Sequence, residues 1–225
     1  MNPPRSFLSR FGIAAAAMTF ASGKAMAQSG SAPTSAQSGA ARASAEHDER
    51  WQPARDARDD WFDQIPGRHR LFFDTLTDSG LREARGFANN YYDGSKSAYG
   101  LEASDLAVII CLRHSATLFA YTDAFWAKYG PIMAESLKLA DPKMTANPHR
   151  PQLEALNRRG VQFAVCEMAS HRYAGMIARK VDGGDTEAIY KEMTASAIGN
   201  AHFVAAGIIA VNRAQERGYS IAFTG

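Results

Sequence analysis

The sequence predicts an α/β fold in which a mostly parallel sheet of five strands carries helices on both faces. Two observations lead there. Residues 106–112 (LAVIICL) are apolar at every position, as a strand covered on both sides must be. Four other short apolar runs are separated from it, and from one another, by stretches of helical period, and crossovers of that length join parallel neighbours. The composition agrees: 225 residues, 46% hydrophobic and 21% charged, suit a globular chain with one sizeable domain.

The elements follow in order. Residues 69–76 (HRLFFDTL) form the first strand, and 79–98 follow as a helix with Leu81, Ala84, Phe87, Ala88 and Tyr91 at helical spacing. After the 106–112 strand, 116–129 read as the second helix. Residues 141–152, with Pro142, Pro148 and Pro151, make a long irregular insertion that suits a lid or a subunit contact. A helix over 151–159 is closed by Gly160, 161–166 (VQFAVC) form the third strand, and 171–181 the next crossover helix. Asp182-Gly183-Gly184 breaks the chain and Asp185 caps a helix to about residue 196. Residues 201–205 (AHFVA) give the fourth strand, 207–217 a helix stopped by Gly218, and 219–223 (YSIAF) the fifth strand. The order of strands in the sheet is not encoded in this pattern.

The N-terminal quarter is different in kind. Residues 1–27 read as an export signal peptide: Arg5 and Arg10 form a basic start, 11–21 a modest apolar stretch, and Ala25-Met26-Ala27 a cleavage site before Gln28. Arg5-Ser6-Phe7-Leu8 is similar to part of the twin-arginine motif, with Pro4 in place of its first arginine, so either a Tat-like or a Sec route to the periplasm or beyond is expected. The formal charge of +2 belongs to this segment, because its removal leaves 22 bases against 23 acids. No nucleic-acid partner is therefore expected, and no membrane span remains after cleavage. Residues 28–45 contain no large apolar side chain and are expected as a disordered linker. Residues 46–66 form a charged arm whose Trp51, Trp61 and Phe62 suit packing on the domain surface or on a neighbouring subunit, and 67–225 form the α/β domain.

Open α/β sheets bind ligands outside the carboxyl ends of their strands. Those ends carry Asp74, Arg113 with His114, Cys166 with Glu167, and the 205–207 turn. Neither a Walker A sequence nor GxGxxG follows any strand, and no GxSxG elbow is present. Cys166 ends a strand before a helix, where backbone N–H groups and the helix dipole favour a thiolate; the competing reading is a small buried side chain, and the Glu167 carboxylate opposes ionisation. Cys111, inside the all-apolar strand, reads as a core thiol, with a Cys111–Cys166 disulfide as a third reading. His114 reads as a pocket residue or as a structural histidine, and Arg113 as a partner for an anion or for a nearby carboxylate. A small-molecule enzyme using His114 with Asp74 or Glu167 requires those groups to converge. His114, His171 and His202 lack metal-ligand spacing, and neither a metal nor a cofactor is expected.

Three stretches carry a family resemblance. Gly160-Val161-Gln162-Phe163-Ala164-Val165-Cys166, followed by a short helix with Gly175, resembles the cysteine-bearing strand of the DsrE/DsrF-like proteins, which include sulfur-relay subunits of the TusBCD type. Residues 206–219 (AGIIAVNRAQERGY) are similar to the C-terminal helix and strand of exported single-domain members. The Leu112-Arg113-His114 strand end, with residues 123–129 (DAFWAKY) after it, is similar to a pattern in an exported subgroup. The resemblance implies a three-layer α/β/α fold with a five-stranded parallel sheet and assembly into homo-oligomeric trimers or hexamers. It also implies a persulfide-carrying cysteine, which by position is Cys166, served by sulfur donor and acceptor proteins. A non-catalytic oligomeric module that binds a small ligand or partner protein is the alternative.

Overall fold

Five strands, β1 (His69–Thr75), β2 (Leu106–Leu112), β3 (Gln162–Cys166), β4 (Ala201–Val204) and β5 (Ser220–Thr224), form one sheet in the order β4-β3-β2-β1-β5, with every neighbouring pair parallel. The structure, a computed structural model, describes residues 52–225, with a compact unit from Pro53 to Gly225. The expected signal, the linker and Trp51 lie outside the described residues. The helices are α1 (Trp61–Gln64), α2 (Asp78–Tyr99), α3 (Asp123–Leu137), α4 (Arg150–Arg158), α5 (Glu167–Ala178), α6 (Thr186–Ala195) and α7 (Gly207–Gln215). None of the described helices is long and apolar enough to cross a membrane.

The alternation of β2 explains the layers. Val108, Ile110 and Leu112 enter one apolar cluster with side chains of α2, α3, α4, α5 and α6, whereas Ala107, Ile109 and Cys111 enter a second with Phe62 of α1 and Ala210, Val211 and Ala214 of α7. The fold is a three-layer α/β/α sandwich. From β1 to β4 the chain steps in one direction across the sheet, and right-handed crossovers then keep the connecting helices on one face. The return from β4, at one edge, to β5, at the other, carries α7 over the opposite face.

Several sequence expectations need correction. The helix expected over 116–129 is a 3₁₀ segment, His114–Ala120, followed by α3. Tertiary partners take its backbone groups: Trp126 Nε1 donates to the Leu118 carbonyl at 3.2 Å, and Asn147 Nδ2 to the carbonyls of Phe119 and Tyr121, both at 2.8 Å. With those acceptors satisfied, an α-helix is not required there. α3 then runs on through Gly130 and Pro131 to Leu137. Pro131 sits on the exposed side, and the carbonyl it leaves without a donor is that of the exposed Ala127, which can face water.

The 141–152 insertion is a brace rather than a lid. Asn147 and His149 are buried within it: the Asn147 backbone N–H donates to Asp123 Oδ1 at 2.8 Å and the His149 ring pairs with Asp78 at the start of α2. Burial holds the His149 ring below its usual range, against the pull of Asp78.

The last part of the arm packs on the domain as expected, and at Phe62 more deeply than at its surface. Phe62 is fully buried, stacked on Trp61 with ring centroids 3.9 Å apart, and its carbonyl accepts from Tyr219 Oη at 2.8 Å. Trp61 in turn lies parallel to the His202 ring at 4.1 Å, covering part of β4.

Candidate functional site

α5 begins directly at Glu167, four residues before the expected start, so Cys166 is both the last residue of β3 and the N-cap of the helix. Ser170 Oγ donates back to the Cys166 carbonyl at 2.9 Å and meets Tyr121 Oη at 2.7 Å, which fixes the strand-to-helix turn. On the next strand, β4 ends at Val204 and α7 begins at Gly207. α5 departs over one face of the sheet and α7 over the other. The junction of β3 and β4 is therefore the topological switch point, where open α/β sheets leave a crevice.

A cleft of about 270 Å³ occupies that crevice. Cys166 borders it, Arg113 and His114 from the end of β2 form one wall, and Ala206, Gly207 and Ile208 form another. Met168, Ala169 and Arg172 of α5 complete it. No carboxylate lines it. Neither Cys166 before α5 nor Ala206 before α7 makes a side-chain cap, so the leading N–H groups of both helices, those ahead of the Ile209 N–H that donates to the Ala206 carbonyl in α7, keep hydrogen-bonding capacity near Cys166.

Asp74 stands behind this wall rather than in it. It is fully buried and accepts from Arg113 Nε at 2.5 Å and Nη2 at 2.8 Å, a bidentate pair that orients the guanidinium and raises its pKa. Gly207 allows the pair its room: a Cβ there would lie 2.6 Å from both Cβ and Cδ of Arg113. His114 is exposed and adopts φ 51°, a left-handed conformation uncommon outside glycine.

The two thiols are free and both buried, but they lie in different surroundings. Cys111 is wholly buried on the α7 face, with Sγ 3.9 Å from the Gly207 carbonyl, and burial pushes its pKa well up. No disulfide joins it to Cys166: in the β2–β3 register Cys111 faces Ala164, two residues short of Cys166. Cys166 is 6% exposed, against 0% for Cys111, and lines the cleft.

Glu167 is not brought to the cleft. It accepts from Tyr190 Oη at 3.3 Å and lines a neighbouring cavity with Asp56, Arg58 and Arg213. An acid–base pair of His114 with Asp74 or Glu167 therefore has no support, since Asp74 is committed to Arg113 and Glu167 lies elsewhere. His171 stacks on Tyr190 and His202 on Trp61; among the described residues no group of three metal-ligating side chains occurs. Sequence reasoning missed Met168 and Arg172. A helix starting at 171 includes Arg172 but leaves Met168 outside it; with Cys166 as N-cap, the two fall four apart and share a helix face.

No known family model matches this chain, and no curated protein matches it. Among solved structures, the protein of unknown function MTH1491 from Methanobacterium thermoautotrophicum is similar, with a TM-score of 0.41 and 13% identity over 69% of this chain and 99% of its own.

Proposed function

We propose that this is an exported, homo-oligomeric DsrE/DsrF-like protein that takes up and passes on sulfane sulfur through a persulfide on Cys166. The observation that carries the reading is the difference between the thiols: Cys166 borders a cleft at the switch point and Cys111 is sealed in the core. In the reaction, the Cys166 thiolate attacks the outer sulfur of a donor persulfide, a new S–S bond forms to Cys166, and the donor leaves as a thiolate. An acceptor thiolate then attacks that outer sulfur and restores Cys166. Arg113, held by Asp74, faces the developing charge, and His114 at the rim exchanges protons with the incoming or leaving thiol. The export part of the reading rests on residues 1–27, and the trimeric or hexameric assembly on the family resemblance.

The alternative, a non-catalytic module that docks a partner protein, has one observation in its favour: Met168 and Ile208, which line the cleft, are exposed large apolar side chains. Thiol accessibility separates the two. In the folded, reduced protein, iodoacetamide is expected to alkylate Cys166 at least about a hundredfold faster than Cys111, because reaction at Cys111 requires opening of the core. Protection of both thiols would remove the relay and leave the docking module.

A further inference from the structure

The cleft is selective in charge. Arg113, His114 and Arg172 line it and no acid does. The charge of Arg113 is balanced by Asp74, but Arg172 lies over the ring of Tyr173 and, among the described residues, forms no ion pair. Glu167, the carboxylate nearest in sequence to Cys166, is turned to Tyr190 and the neighbouring cavity. The cleft thus holds an uncompensated cation beside a thiol, and its volume of about 270 Å³ suits a molecule of a few heavy atoms.

We propose that the sulfur donor is a small sulfur oxyanion that carries its own sulfane sulfur, of the thiosulfate type, with Arg172 and the free edge of Arg113 holding its sulfonate oxygens. The inference rests on Cys166 being the accepting thiol. The Cys166 thiolate attacks the outer sulfur of thiosulfate, the bond from that sulfur to the sulfonate sulfur breaks, and sulfite leaves with the electron pair. The products are the Cys166 persulfide and one sulfite; the total charge is unchanged, and no external oxidant or reductant takes part. A neutral electrophile of similar size gains nothing from the same two side chains.

The test follows persulfide formation by intact mass and sulfite release with thiosulfate as donor, beside alkylation of Cys166 by iodoacetamide. Arg172→Glu is expected to slow thiosulfate loading by about tenfold or more beyond whatever it takes from the iodoacetamide rate, which reports the Cys166 thiolate alone. Arg172→Lys should retain most of the loading rate, and added salt should slow the thiosulfate reaction alone. Equal thiosulfate rates in wild type and Arg172→Glu would overturn the assignment. If glutathione persulfide loads Cys166 and thiosulfate does not, the oxyanion donor is wrong and the relay stands. If neither donor loads Cys166, both fall together.

Discussion

Asp74→Ala is expected to destabilise the fold by about 3 kcal/mol, toward the lower end of what breaking a buried ion pair costs. Asp74 has no exposed surface, and its two oxygens take Nε and Nη2 of Arg113. Removing the carboxylate leaves a cation at the cleft wall with no counter-charge. The Arg113 side chain is 14% exposed, so it can turn part of its charge to water, which sets the lower end rather than the upper. The double variant Asp74→Ala/Arg113→Met should recover much of the loss, because neither partner is then left alone. Urea denaturation of the two single variants and the pair measures the coupling. Additive single effects would mean that the pair does not act as a unit.

Phe62→Ala is expected to cost about 3–5 kcal/mol, the range for truncating a buried aromatic. The ring is wholly buried, stacked on Trp61, with Tyr219 set edge-on at 6.1 Å and the Arg217 guanidinium 5.6 Å from its centroid. Truncation opens a cavity under the sheet face that α7 covers. A detachable arm would give a change within about 0.5 kcal/mol, as surface substitutions do. The urea midpoint decides between them, and an unchanged slope would show that the folded state keeps its compactness.

Most of the sandwich was legible in the sequence because its cause is local. A strand buried on both faces must be apolar throughout, and β2 spans the expected 106–112. Asp185 caps α6 through its side chain, which accepts from Ala188 N at 2.7 Å, as a capping residue should. What was misread depends on distant partners. The 3₁₀ segment before α3 is held by Asn147 and by an antiparallel bridge from Tyr121 to Ala197, and nothing within 114–129 encodes either. α5 starts without a hydroxyl or carboxamide cap, so its first turn has no capping signal, and a helix begun at 171 leaves Met168 out of it.

For the site, the strand ends were enough to put Cys166, Arg113 and His114 at the carboxyl edge of the sheet, because carboxyl ends of parallel strands share that edge whatever their order; the pairing of β2 with β3 then brings them together. They could not place Asp74 behind the wall or turn Glu167 away from it. Those positions follow from the order β4-β3-β2-β1-β5 and from the side chains that face each other once it is set.

Intact mass of the folded protein after incubation with glutathione persulfide bears most directly on Cys166 as the sulfur carrier. One added sulfur in wild type and in Cys111→Ser, removed again by an acceptor thiol, with none in Cys166→Ser, is the predicted result. Sulfur retained by Cys166→Ser, or absent from Cys111→Ser, would contradict it.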